Sequence, residues 1–299
     1  MISSDQCPIS CRELRRPPVA RFRCFDVHVH MDLGTDIDRV AAEARRLGCR
    51  LGLSSCGAMF HQPGNDAVAA AIERHPDVVV GFGYVALGRG DGPATVRTLH
   101  AQGFRGLKVI APRRSYDDKS FYPIYAQAEK LAMPILFHTG VLARMDTWGA
   151  QHGWTEMAKL DFPKLDISSD RMRPMCLDAI ARAFPGLNLI MAHFLSLGRR
   201  DEAAALLVHH PNVYADLTTP SCADTKARVK AYARILRDCW PFTDYRKLLF
   251  GTDFFTHLSG TKRLAAGIKA IGLLLDELKV TRDVRAAIMG GTAERLVGI

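Results

Sequence analysis

Eight short apolar runs, each followed by a segment of helical character, set the strongest limit on what this chain can become. The runs are FDVHVH (25–30), LGLSSC (51–56), VVVGFGYVA (78–86), GLKVIA (106–111), PILFHT (134–139), NLIMAH (188–193), VYADLT (213–218) and LLFGTDF (248–254). The segments between them, such as DIDRVAAEARRLG and RRDEAAALLVHHP, are rich in alanine, leucine, arginine and glutamate. Most end in the glycine or proline that stops a helix. Strict alternation of strand and helix implies parallel pairing, because a parallel strand needs a crossover to reach its neighbour. Eight such units in 299 residues, 48% of them hydrophobic, predict a single α/β (β/α)8 TIM barrel, with a doubly wound open sheet as the alternative.

Two segments break the rhythm. Residues 1–23 read as an irregular arm ahead of a single domain spanning 24–299, and residues 141–172 form a long loop insertion after the fifth strand, carrying Trp148, His152 and Trp154. Loops of that length inside a compact domain tend to be functional. No apolar run approaches the ~20 residues of a spanning helix, and the N-terminal MISSDQCPISCRELRRPPVARFRC lacks the apolar stretch of a secretory signal. The protein is therefore expected to be soluble and cytoplasmic, without a membrane partner. Its eight cysteines, at 7, 11, 24, 49, 56, 176, 222 and 239, include no CxxC pair and read as reduced thiols, mostly in the core.

The first run contains DVHVH, and an unpaired buried imidazole is costly. Side chains alternate along a strand, so His28 and His30 share a face, and Asp26 joins them by the same parity. A metal would offset the cost of burial, since neutral imidazole is the commonest metal ligand. One such histidine alone could equally be a core residue bonded to backbone. The pattern recurs, however: His138 lies near the end of the fifth run, His193 ends the sixth, and Asp253 lies near the end of the eighth. In a parallel barrel those ends open on one face, where active sites of this fold are built. Five potential ligands thus converge, which predicts a metal site.

The same pieces carry a resemblance. DVHVH, GFRGLKVIAP, MPILFHTG, AFPGLNLIMAH, LLFGTDFF and IMGGTAERLVGI, covering the chain from about residue 24, resemble the amidohydrolase superfamily of metal-dependent barrel enzymes. Within it they are most similar to the branch containing aminocarboxymuconate semialdehyde decarboxylase, aromatic-acid decarboxylases and lactonases. The resemblance implies His28, His30, His138 and Asp253 as metal ligands, with His193 near the metal-bound water; from the chemistry of such a ligand set, Asp253 is expected also to accept the water's proton and His193 to serve as a catalytic acid or base or to stabilise developing charge. The chain departs from many relatives at Thr292, where asparagine is usual, and in FLSLG after His193, where a tighter glycine turn is usual.

Lys108 bears on the number of ions. Some members of the superfamily carry at this strand a lysine that reacts with carbon dioxide and bridges two metals; in others the metal is single. A free ammonium is repelled by a divalent cation, so Lys108 is carboxylated, neutral or turned toward an anion. The expectation is one divalent ion per chain, most plausibly Zn2+, with Lys108 binding substrate; the bridged two-metal form is the alternative.

Lysine and arginine number 40 against 31 aspartate and glutamate, a net charge of +9 that favours anionic partners. Arg113, Arg114 and Lys119 after strand four, Arg144 after strand five, and Arg199 and Arg200 after strand six stand near helix N-termini, where the helix dipole prefers acidic residues. That placement suggests a carboxylate or phosphate to be held, against the plainer reading of a solvated charged face. Arg113, Arg144, Lys108 and the loop histidines His61 and His152 are the candidate substrate contacts, with His257 also on the catalytic side. His75, His100, His209 and His210 lie in helical stretches or before proline and read as structural.

A metal-dependent hydrolase of lactones or amides, or a non-oxidative decarboxylase, acting on a small anionic acid is the favoured reading. Two others compete. One is a deoxyribonuclease of the same superfamily, although those nucleases generally present glutamate where this chain has Lys108, and no basic stripe interleaved with aromatics is present to follow a strand. The other is a non-catalytic metal-binding barrel. A homo-oligomer is compatible with all three.

Overall fold

The computed structural model describes residues 22–142, 166–196, 198–239 and 245–299. All eight apolar runs contain strands: β1 (Cys24–His30), β2 (Cys49–Ser54), β3 (Val79–Tyr84), β4 (Gly106–Val109), β5 (Ile135–Phe137), β6 (Leu189–Met191) and β7 (Val213–Asp216), with the eighth run split into β8 (Leu248–Leu249) and β9 (Phe254–Phe255). Each helical segment forms a helix: α1 (Ile37–Leu47), α2 (Asn65–Arg74), α3 (Pro93–Ala101), α4 (Tyr122–Lys130), α5 (Leu177–Ala183), α6 (Arg200–His209), α7 (Lys226–Cys239) and α8 (Thr261–Leu278), followed by α9 (Arg282–Ala286) and α10 (Thr292–Val297). Local chemistry explains their limits. Asp36 caps α1 by accepting from the Arg39 amide, and Gly48 ends it in the left-handed conformation that glycine adopts without penalty.

Pairing is parallel throughout, in the order β8-β7-β6-β5-β4-β3-β2-β1-β9. Because β8 and β9 belong to one run, this order is a closed ring: β8 pairs with β7 and β9 pairs with β1. Val27 N donates to Phe250 O at 3.0 Å, Asp253 N to His28 O at 2.8 Å and Thr256 N to His30 O at 2.9 Å, so the seam is bonded along its length. The chain is a (β/α)8 barrel, as its alternation predicts.

Two apolar layers hold it. Val29, Leu51, Leu53, Leu107, Val109, Phe137 and Met191 pack outward with helix residues such as Val40, Ala44, Val96 and Leu99. Inside, Phe25, Val27, Phe82, Leu136, Ile190 and Leu249 cluster with Ala293, Leu296 and Val297 of α10, which closes that end of the barrel. Gly106 follows from this packing, since a Cβ there would stand 2.6 Å from the Phe82 ring. One expectation fails in β1. Strict alternation puts Asp26 with the histidines, but the register slips between Asp26 and Val29 in a bulge, and a bulge resets which face each residue takes. Asp26 instead accepts from the amides of His28 (3.1 Å) and Thr252 (3.0 Å) and from the Thr252 hydroxyl, tying β1 to the eighth run.

Two of the histidines read as structural, each following a helix and preceding a proline, bond carboxylates: His75 bonds Asp38 at 2.8 Å and His210 bonds Asp178 at 2.7 Å. Among the described residues no helix is long and apolar enough to cross a membrane. The arm through residue 21, most of the insertion (143–165), and with it Arg144, Trp148, His152 and Trp154, lie outside the described residues.

Candidate functional site

The seam between β1 and β9 brings three donor atoms together. His28 Nε2 lies 3.1 Å from His30 Nε2 and 3.3 Å from Asp253 Oδ1, and His30 Nε2 lies 3.2 Å from the same oxygen. Tetrahedral ligation at about 2.0–2.1 Å to nitrogen and oxygen places neighbouring ligand atoms roughly 3.3 Å apart. The three atoms therefore form a triangular face that could hold a divalent ion. Backbone geometry sets it up. Asp253 takes a left-handed φ of 54° between β8 and β9, a conformation that costs a non-glycine residue about 1 kcal/mol, and the bond from its amide to His28 O holds it there. The His30 ring stacks on Phe255 at 5.0 Å.

Beside this face stands a second pair. His138 Nδ1 lies 3.1 Å from His193 Nε2, and His138 Nε2 is buried with no hydrogen-bond partner among the described residues. His138 is not among the three atoms of the triangle; its Nδ1 contacts His193, and its Nε2 is the nitrogen left without a partner among the described residues. His193 follows β6 at a φ of 61°, with Nδ1 3.2 Å from Thr218 Oγ1 and 3.9 Å from Asp253 Oδ2. A Cβ on Gly140 would come within 3.1 Å of the His193 ring, so this glycine makes room for it.

Asp216, at the end of β7, joins the site without being among the residues the sequence singles out. It is fully buried and central: Oδ2 is 2.8 Å from His28 Nδ1, while Oδ1 accepts from His193 N (2.8 Å), Thr218 Oγ1 (2.8 Å) and Thr218 N (3.2 Å). The signal that could have found it is the one used for the other ligands, a polar residue ending an apolar run.

Lys108 is fully buried on β4, with Nζ 2.7 Å from His28 Nε2. That nitrogen has one lone pair. An ion and the ammonium cannot share it, so ion binding requires Lys108 to swing away or to lose its charge.

Burial dominates the electrostatics. It pushes His28 down to about 4, with Lys108 adding to the shift, lowers His193, and holds His138 well below the usual imidazole range with help from His193. All three are neutral at pH 7, the state in which imidazole ligates. Burial also lowers Lys108, against the pull of Cys56, Asp253 and Asp216. Burial alone would raise Asp216 and Asp253, but the bond from His28 and the surrounding imidazoles outweigh it, and both stay ionised.

Of the remaining candidates, His61, Arg113, Arg114 and Arg200 are not members of the His28–His30–Asp253 donor group. His61 follows a short 3-10 turn (Ala58–Phe60) after β2, at a φ of 57°. Arg113 is half-exposed and bonds Asp166 at 2.9 Å; Arg114 faces Asp118 at 3.6 Å, and Arg200 faces Asp201 at 3.1 Å.

A family model described as Amidohydrolase matches residues 57–299. No curated protein matches the sequence. Among solved structures, the fold is similar to that of a Pseudomonas putida protein provisionally assigned as a 2-pyrone-4,6-dicarboxylic acid hydrolase, at 14% identity and a TM-score of 0.60 over 93% of this chain and 98% of that one. It is also similar to 2,6-dihydroxybenzoate decarboxylase from Rhizobium, at 14% identity and a TM-score of 0.58 over 93% of this chain and 99% of that one. A dihydroxybenzoic acid decarboxylase from Polaromonas sp., solved with bound manganese and the inhibitor 2-nitroresorcinol, matches at 14% identity and a TM-score of 0.58 over 93% of this chain and 97% of that one.

Proposed function

Since the chain belongs to the amidohydrolase family, we propose that it is a metal-dependent enzyme that hydrolyses a lactone or amide, or decarboxylates without oxidation, a small anionic organic acid. The observation that carries this reading is the triangle of His28 Nε2, His30 Nε2 and Asp253 Oδ1, whose sides of 3.1, 3.3 and 3.2 Å suit a divalent ion. His28, His30 and Asp253 would hold it, with His138 supplying a further nitrogen; zinc, one per chain, suits this nitrogen-rich set. When bound, such an ion polarises a substrate oxygen and lowers the pKa of water, chemistry common to hydrolysis and decarboxylation.

The chain's own groups do the rest. Asp253 Oδ2 faces His193 Nδ1 at 3.9 Å, so a proton accepted at the carboxylate lies within a short relay of an imidazole. His193 is neutral, bonded to Thr218 and to His138, and able to give or take a proton at Nδ1 or Nε2. Lys108 Nζ, once released from His28, is a buried cation beside the site and pairs with a substrate carboxylate; Arg113, Arg144, His61 and His152 are the candidate contacts further out. The structurally similar enzymes act, by their names, on cyclic carboxylic acids, which supports an anionic substrate. A second reading rests on Lys108 itself: a neutral amine 2.7 Å from His28 Nε2 could carry carbon dioxide as a carbamate and bridge two ions.

Metal analysis of the purified protein, combined with a panel of lactones, amides and aromatic carboxylates assayed in parallel for hydrolysis and carbon dioxide release, tests the proposal. About one divalent ion per chain and turnover of an anionic member are expected. A metal-free protein inactive on every class after metal addition would overturn it.

A further inference from the structure

Asp216 bonds two imidazole-bearing residues at once, and its four contacts are unequal. Oδ1 collects three donors, His193 N, Thr218 N and Thr218 Oγ1, at 2.8, 3.2 and 2.8 Å, while Oδ2 faces only His28 Nδ1 at 2.8 Å. A carboxylate accepts and cannot donate, so the partner nitrogen on His28 carries the proton. The opposite nitrogen, Nε2, also faces a carboxylate, Asp253 Oδ1, but at 3.3 Å against 2.8 Å for Asp216, and it lies 2.7 Å from Lys108 Nζ, which can donate to its lone pair; the shorter carboxylate contact places the proton on Nδ1. Nε2 is the atom that stands in the triangle with His30 and Asp253.

We propose that Asp216 is the positioning residue that selects the tautomer of His28, keeping the proton on Nδ1 so that Nε2 is left to ligate. The proposal rests on the metal reading above for its consequence, and on Asp216 alone for its cause. The three donors on Oδ1 make the selection rigid, because they fix which oxygen turns toward His28. They also dictate what Asp216→Asn does. The amide oxygen stays with its three donors and the amide NH2 is delivered to His28 Nδ1, where two donors cannot coexist. His28 then shifts its proton to Nε2 and is lost as a ligand, in a side chain of unchanged shape. Wrong-tautomer damage of this kind is the known outcome of replacing a histidine-orienting aspartate by asparagine, and loss of such a partner typically weakens metal affinity ten- to a hundredfold.

The experiment uses the full chain labelled with 15N-histidine, stripped of metal, with His28 assigned by the peak lost in His28→Gln. Long-range 1H–15N spectra report the tautomer, and chelator competition reports the Zn2+ affinity. Wild type is expected to show His28 protonated at Nδ1; Asp216→Asn should show it protonated at Nε2 and bind Zn2+ about ten- to a hundredfold more weakly. A wild-type His28 protonated at Nε2 overturns the proposal whatever the variant does, so the test survives a variant that fails to fold. An Asp216→Asn protein that keeps the Nδ1 proton and wild-type Zn2+ affinity overturns it while leaving the metal reading intact. If the tautomer switches but wild type binds no Zn2+, the metal reading falls and Asp216's control of His28 stands.

Discussion

Along single strands of this barrel the interior changes character within two residues. Leu136 packs with Phe25, Phe82 and Ile190 against the plug of α10, and His138, two positions on, meets His193; Tyr214 belongs to the same apolar cluster, and Asp216 grips His28. The lower end is filled by large apolar side chains in mutual contact, each of which stabilises the fold. The upper end holds neutral imidazoles, a buried lysine and ionised carboxylates that bond one another, with His138 Nε2 left over among the described residues. One scaffold thus separates stability from chemistry along its axis, and substitutions at the two ends should report on different quantities.

The largest effect is expected from Asp253→Ala, or equally His28→Ala, which removes a corner of the donor triangle. Metal content should fall from about one ion per chain toward zero, with the fold retained; full stoichiometry in both variants would refute the metal site. Next comes His193→Asn. If His193 moves protons, kcat should drop about a hundred- to ten-thousandfold with metal content unchanged. A fall in metal from about two ions to one would instead favour the bridged form through Lys108. At the lower end, Phe82→Ala should cost about 3–5 kcal/mol in denaturant unfolding. The metal affinity of the folded protein should stay at the wild-type level, and a parallel loss of affinity would show that the two ends are coupled. Smallest is Arg113→Ala. Its half-exposed guanidinium pairs with Asp166, so stability should move by less than about 0.5 kcal/mol, while KM for an anionic substrate rises several-fold. An unchanged KM would make Arg113 ordinary solvated surface.

The comparison also marks what can be read from a sequence. The eight strand runs and the eight helices α1–α8 were legible, because the alternation of apolar runs with Gly-stopped or Pro-stopped helices is a local pattern; the short α9 and α10 after the last run fall outside that alternation. His28, His30 and Asp253 were legible because polar residues ending apolar runs are anomalous. Asp216 has the same anomaly, in VYADLT, but unlike Asp253 it lies in a run outside the motifs that carry the family resemblance. The placement of Asp26 was not legible: it depends on a bulge in the pairing of β1 with β2 and on bonds from Thr252 of the eighth run, both non-local conditions. The left-handed backbone of His193 and Asp253 was hidden for a related reason, since neither is glycine and each is held by a bond from a distant segment.

The seam has a consequence for the order in which the protein comes into being. Asp26 and Thr252 are joined across 226 positions of chain. At about 5–20 residues per second, a ribosome that has just made the first strand needs roughly ten to fifty seconds to deliver its last neighbour. Through that interval β1 has β2 on one edge and nothing on the other, and DVHVH has no carboxylate to complete its triangle. A donor triangle that includes Asp253 Oδ1 is therefore a property of the closed ring alone.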